Sequence, residues 1–162
     1  MADTAEVVAE LRAAEPPPVP TVTVTVASQR FGVFEVPEHS IFELDPGLVG
    51  FPNERRFVVL DSRPGSPFKW MLCVDEPELA FAVVDPTHFV PGYQAPLDKA
   101  AKLLGCAADD VALFVLVTIP ARPTEIYANL LAPVVVDLGR RTGRQMVLED
   151  PTLDPAHRIP LI

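Results

Sequence analysis

Short apolar runs, separated by turn residues, follow one another along most of the chain. Between residues 21 and 26 threonines alternate with valines, which predicts a half-buried strand whose valines point inward. Residues 31–36 predict a second strand, and the short segment between the two favours a hairpin. The same patterns predict further strands over 41–44, 56–60, 68–74, 79–84, 111–119, 134–138 and 145–148. The run over 111–119 is continuously apolar, as is typical of a strand buried on both faces.

One segment predicts a helix. Pro96 suits a first helical turn, a one-sided apolar stripe runs from Leu97 to Leu104, and Gly105 follows as a stop signal. Residues 125–131 fit either a short helix or a strand. About nine short strands with turns every 8–12 residues favour a sandwich or a barrel. We therefore predict a mainly-β, compact, barrel-like single domain of short antiparallel strands with one or two short helices.

The first 20 residues differ in composition from the rest. Residues 1–15 are rich in Ala and Glu, and three consecutive prolines from Pro16 to Pro18 break any helix and favour polyproline II. We predict a flexible extension over 1–20 and a β-barrel domain over 21–162. The extension is either a tail without a role or a docking motif.

Charge restricts the classes of partner. The chain has 22 acidic against 13 basic residues, a net charge of −9. Nucleic-acid binding rests on neutralising phosphates with Lys and Arg, so direct binding to nucleic acid or to anionic membrane is not expected. An acidic protein suits a basic protein partner instead. No apolar window is long enough for a transmembrane helix, and the N-terminus lacks the pattern of a signal peptide, so we expect a cytoplasmic protein.

Motifs for chemistry are missing from the sequence. Cys73 and Cys106 stand alone in apolar settings, which favours free thiols, and the three histidines have no metal-ligand spacing. Neither a nucleophile elbow nor a phosphate-binding glycine loop is found. We expect no catalytic residue, no cofactor and no metal. An enzyme using Cys106 or the acidic run from Asp75 to Glu78 is the least favoured alternative, and a barrel that binds a small molecule is the second hypothesis.

Two groups of residues are candidates for contact with a protein partner. Asp75, Glu76 and Glu78 form an acidic run that is either a solvated hairpin turn or a docking site for a basic partner. Phe89 and Tyr93 follow a proline on one loop and are either core residues or rigid aromatic anchors.

Asn129 is a further candidate. It lies between Ala128 and Leu130 and is either an interface amide or, more simply, a cap on the local backbone.

Several multi-residue motifs, in order, resemble those of the FliW family of flagellar assembly factors. They are Phe31-Gly32, Glu35-Val36, Ile41-Phe42, Gly47 to Phe51, Phe68 to Trp70, Asp75 to Pro86, Phe89 to Pro91, Tyr93, Val117 to Pro120 and Ala128 to Val134. The resemblance covers about residues 21–149. It implies a cytoplasmic, non-enzymatic regulator on a compact β-barrel-like fold.

The resemblance also implies two alternating protein partners. Family members bind flagellin and also CsrA, a small RNA-binding protein that represses flagellin translation. Excess flagellin occupies the factor, and after flagellin export the freed factor binds CsrA and relieves repression. A basic RNA-binding partner agrees with the net charge of this chain. We expect the free chain to be a monomer.

Overall fold

A computed structural model describes residues 22–91, 93, 96–118 and 125–160, so the predicted flexible extension over 1–20 lies outside the described residues. Its strands are β1 (Thr23–Ser28), β2 (Gly32–Pro37), β3 (Phe42–Leu44), β4 (Arg56–Asp61), β5 (Phe68–Cys73), β6 (Ala80–Val84), β7 (Val111–Thr118), β8 (Glu125–Ala128), β9 (Val134–Asp137), β10 (Thr142–Gln145) and β11 (His157–Pro160). Within these residues one α-helix, α1, spans Leu97–Leu104, and single 3-10 turns lie at Glu38–Ser40, Pro86–His88 and Ala108–Asp110.

Seven of the strands close into a barrel. Their order around it is β7-β6-β5-β4-β3-β10-β9, and β9 pairs back with β7. β8 extends the sheet from β7 and carries β11 on its other side, while β1 and β2 form a separate hairpin. The predicted mainly-β, barrel-like fold is confirmed. One pairing departs from the antiparallel prediction, because β10 runs parallel to β3.

The barrel wall is packed on both of its faces. The interior is filled by large apolar side chains, among them Phe42, Leu44, Phe57, Met71, Val83, Val134 and Val136. Outside, the β1–β2 hairpin packs on β4 and β5, and α1 packs on β9 and the residues after β10. β8, β11 and the loop after β6 cover β6 and β7. This two-sided packing explains why so many strands are apolar at consecutive positions.

The run over 111–119 is a strand over its described part, with apolar contacts on both faces as predicted. Phe114 and Leu116 pack toward the interior, and Val115 and Val117 pack against the outer cover. The strand is less buried than predicted, since Val115 and Val117 are its only buried residues and Thr118 is exposed.

Three predictions about elements are corrected or resolved. The ambiguous segment 125–131 contains a strand, β8. The strand predicted over 145–148 is instead Thr142–Gln145, so the prediction overlaps it only at Gln145. It starts earlier because Arg141 adopts a left-handed backbone (φ 58°) and turns the chain directly back onto β9. A strand in the proline-rich C-terminal segment was not predicted, and β11 exists there because β8 offers it an antiparallel partner.

α1 agrees with its predicted signals. Pro96 is its N-cap, and Gly105 ends it in the left-handed conformation that glycine adopts without strain. The predicted inward alternation of the first strand holds for Val26, which is fully buried, but Val22 precedes β1 and is 62% exposed.

Candidate protein-binding surface

The acidic run lies in the turn that joins β5 to β6; we call residues 75–78 the acidic turn. The Leu79 N–H donates to the Glu76 carbonyl over 3.1 Å, which closes the turn. Its backbone is also held from outside, because the Gln29 N–H at the tip of the β1–β2 hairpin donates to the Pro77 carbonyl over 2.9 Å. The acidic side chains therefore stand on a fixed turn at one end of the barrel.

Asp75 is paired within the chain. Arg56 donates through Nε to Asp75 Oδ2 at 3.0 Å and through Nη2 to Oδ1 at 2.6 Å. This two-pronged hydrogen bond lowers the pKa of Asp75, even though both side chains are about half exposed. Asp75 is therefore largely neutralised by Arg56.

Glu76 and Glu78 carry charge that no cation of the described residues neutralises by an ion pair. The Glu78 carboxylate accepts a long contact, 3.4 Å, from Gln29 Nε2. Glu76 accepts from the Glu78 backbone N–H at 3.4 Å. Both contacts are with neutral groups, so the two carboxylates keep their negative charge available to a partner.

An exposed apolar pair lies on a neighbouring loop, between β3 and β4. Val49 is 71% exposed, and Phe51 is 36% exposed with its ring edge against Phe81, at 5.4 Å between ring centroids. Phe81 is in β6, the strand that begins directly after the acidic turn. The acidic turn, Val49 and Phe51 together form what we call the acidic end of the barrel.

Gln145 holds the loop that carries Val49. Its side chain is buried; Oε1 accepts from the Val49 N–H at 2.9 Å and Nε2 donates to the Ala132 carbonyl at 3.0 Å. Sequence analysis missed Gln145, because nothing local marks a glutamine whose partners are 96 and 13 residues away. Val49 and Phe51 could have been found, since they lie within one of the motifs that carry the family resemblance.

Phe89 and Tyr93 are not part of the acidic end. The acidic turn precedes β6 and Phe89 follows it, so the two lie at opposite ends of that strand. Phe89 is half-buried and its ring lies 5.5 Å from that of Phe68. Tyr93 is buried, its hydroxyl donates to the Leu130 carbonyl at 3.5 Å, and burial raises its pKa. In this structure both pack in the core, the first of the two predicted alternatives.

Asn129 caps the local backbone. Its Oδ1 accepts from the N–H groups of Leu131 and Ala132, both at 3.2 Å. Its own N–H donates to the Leu116 carbonyl at 2.9 Å. The side chain therefore stabilises the turn between β8 and β9. Partner contact by Asn129, Phe89 or Tyr93 stays a prediction.

A cavity of about 620 Å³ opens at the other end of the barrel. Its walls include Phe42, Val59, Val83 and Phe114, and Lys69 lies at its rim, paired with Asp61. Cys73 is buried, which raises its pKa, and Cys106 is half-buried; both are free thiols, as predicted. Over the described ranges, three or more metal-ligating side chains never cluster, and α1 is too short and polar to span a membrane.

Similarity to known proteins agrees with this architecture. The model of the FliW protein family matches residues 25–159. The flagellar assembly factor FliW of Bdellovibrio bacteriovorus is 41% identical over 132 residues, covering 79% of this chain and 74% of that protein. The FliW of Magnetococcus marinus is 38% identical over 128 residues, which cover 77% of this chain and 79% of that protein.

Solved structures agree with the sequence matches. A crystal structure of the flagellar assembly factor FliW superposes with a TM-score of 0.74 at 30% identity, covering 86% of this chain and 99% of that one. The family model spans the barrel with its attached strands, from within β1 to within β11. The chain therefore belongs to the FliW family of flagellar assembly factors.

Proposed function

We propose that this protein is a cytoplasmic regulator that binds flagellin and, when flagellin is absent, binds and antagonises the translational repressor CsrA. It acts by binding other proteins and not as an enzyme. The observation that carries the proposal is the acidic end of the barrel, where Glu76 and Glu78 form no ion pair with the described residues and the exposed side chains of Val49 and Phe51 lie at the same end.

The physical chemistry of the acidic end suits a basic partner such as an RNA-binding protein. Carboxylates without an ion-pair partner attract a basic surface and raise the rate of association. Exposed apolar side chains next to them supply area that a partner can desolvate. Asp75 contributes less direct attraction than its neighbours, because Arg56 already neutralises it.

The direct test is a charge-reversal series read by CsrA binding. Purified chain is titrated with CsrA in a calorimeter, first as wild type and then with Glu76→Lys and Glu78→Lys, singly and combined. We expect each single reversal to weaken binding and the double reversal to abolish measurable heat at micromolar concentrations. Raising the salt concentration should weaken the wild-type complex, since exposed charges are screened beyond about 8 Å at physiological ionic strength.

Asp109→Lys is the matched control. Asp109 is exposed in the 3-10 turn before β7, at the end of the barrel remote from the acidic turn. The Asp109→Lys substitution changes the net charge by the same amount as each single test substitution. It therefore separates a local effect at the acidic turn from an effect of the overall electrostatic field. Equal loss of affinity in the control and in the Glu76 and Glu78 variants would refute the acidic end as the CsrA site.

Flagellin binding is tested separately with the same variants. Wild-type chain is titrated with flagellin and then the preformed complex is titrated with CsrA. We expect CsrA heat to disappear while flagellin is bound. Simultaneous binding of both partners at full affinity would contradict the proposed alternation.

A further inference from the structure

A groove on the outside of the barrel carries the opposite charge to the rest of the molecule. It runs between α1 and the segment that contains the end of β10 and the residues after it, and has a volume of about 610 Å³. We call it the cationic groove. It is lined by Lys99, Lys102, Leu103, Arg144, Gln145, Met146, Val147 and Glu149.

The groove combines apolar surface with cations that lack partners. Leu103 is 46% exposed and Val147 is 58% exposed. Within the part of the chain that the structure describes, Lys99 and Lys102 form no ion pair, and Arg144 Nε is buried without a hydrogen-bond acceptor. A buried donor without an acceptor costs free energy. The groove therefore suits an amphipathic segment that carries carboxylates.

The N-terminal extension of this chain has those properties. Residues 1–15 contain four acidic residues and one arginine. Val7 and Leu11 are four positions apart, so on a helix they share one face, and Glu6 and Glu10 share the adjacent one. The family match begins only at residue 25, so the extension lies outside the shared domain.

The start of the described chain is linked by two hydrogen bonds to the turn before β10, the strand that leads into the groove. The Val22 carbonyl accepts from the Glu38 N–H at 2.8 Å, and the Glu38 carbonyl accepts from Arg141 Nη1 at 3.0 Å. Arg141 is three residues before Arg144, roughly 10 Å along a strand. Residues 16–20, four of which are proline, span roughly 15 Å as polyproline II. Between Val22 and Arg144 lie these two contacts and about 10 Å of strand, a separation comparable with the roughly 23 Å that the seven residues 16–22 can span when extended.

We propose that residues 1–15 dock in the cationic groove of the same chain. The carboxylates of Glu6 and Glu10 meet the ammonium groups of Lys99 and Lys102, and Val7 and Leu11 cover Leu103 and Val147. Docking shields a cationic, apolar surface on an otherwise acidic protein. Acidic segments of other proteins then have to displace the extension to bind there.

Carbodiimide cross-linking tests this proposal cleanly, because the chain has only three lysines and Lys69 is an internal control at the cavity rim. Zero-length cross-linking of the full chain, followed by mass spectrometry, should join Glu6 or Glu10 to Lys99 or Lys102 within one molecule. Links to Lys69 should be rare. The groove links should decrease in 1 M salt, where the screening length falls to about 3 Å.

A matched pair of variants separates docking from mere attraction. Val7→Asp with Leu11→Asp removes the apolar contact and should abolish the groove links. Ala5→Asp with Ala9→Asp adds the same charge on the opposite helical face and should keep them. The proposal is overturned if the groove links are absent, if they survive Val7→Asp with Leu11→Asp, or if a mixture of light and heavy isotope-labelled chains shows them only between two molecules.

Discussion

Gly143 occupies the most confined glycine position described in the barrel, and its replacement by alanine is the most direct test of barrel closure. Gly143 is buried in β10, between β9 and the parallel neighbour β3. A Cβ atom at this position would lie 2.2 Å from the Val135 carbonyl oxygen and 2.9 Å from Val136 Cα. Both contacts are with backbone atoms, so no side-chain rotation can relieve them.

The expected loss of stability follows from the movement that is needed. An ordinary carbon–oxygen contact is roughly 3.3 Å, so β10 has to move by about 1 Å relative to β9. Overpacking of this kind costs about 1–3 kcal/mol, and each weakened ladder hydrogen bond adds about 1 kcal/mol. We therefore expect Gly143→Ala to lower the free energy of unfolding by about 3 kcal/mol, a large share of the roughly 5–15 kcal/mol of a typical domain.

Urea denaturation, followed by the fluorescence of Trp70, measures this loss. Trp70 is the single tryptophan of the chain, and its ring lies 4.4 Å from that of Phe31 where the hairpin covers the barrel. With a slope of about 2 kcal/mol per molar urea, the midpoint should fall by about 1.5 M.

Gly139→Ala is the control for this prediction. A Cβ on Gly139 would meet nothing closer than Asp137 Oδ1 at 3.4 Å, so its effect should stay within about 0.5 kcal/mol. A Gly143→Ala protein as stable as the control would refute the close packing of β10 against β9, and with it the closure of the barrel at this point.

Three further predictions concern single side chains. Gln145→Leu should lower the free energy of unfolding by about 2–4 kcal/mol, because it leaves the Val49 N–H and the Ala132 carbonyl without partners; no change in the urea midpoint would contradict this. Asn129→Ala should cost about 1 kcal/mol while Asn129→Asp, which keeps the acceptor oxygen, should cost less; equal losses would refute the capping role. The pKa of Asp75 is lowered by Arg56, so the pair stabilises the fold above the ordinary carboxyl pKa and this stabilisation is lost as pH falls through the lowered value. The free energy of unfolding of wild type should therefore exceed that of Asp75→Asn by less than about 1 kcal/mol near pH 7, since both side chains are half exposed. At strongly acidic pH the two proteins should be equally stable. A stability difference that grows on acidification would contradict the pairing.

Local patterns along the chain were enough to predict most elements of the fold. Alternation predicted the β1–β2 hairpin, and the prolines and Gly105 marked the ends of α1, because strand and helix periods depend on neighbouring residues. The acidic turn was also predicted as a hairpin turn that carries charge. The family motifs added the expectation of a barrel, which neighbouring residues alone left open between barrel and sandwich.

Contacts between distant residues decided the rest. The pairing of β9 with β7, which closes the barrel, joins residues twenty or more positions apart, and no local signal encodes it. The burial of Phe89 and Tyr93 depends on β8 and β11, whose side chains pack in the same apolar cluster. Arg56 neutralises Asp75 only because β4 and β5 pair in one register. The sequence by itself therefore determined most of the secondary-structure elements and the sign of the net charge. The tertiary structure decided which carboxylates remain unpaired and which apolar side chains lie at the same end of the barrel. Burial and ion pairing depend on distances between residues, and only the folded chain sets those distances.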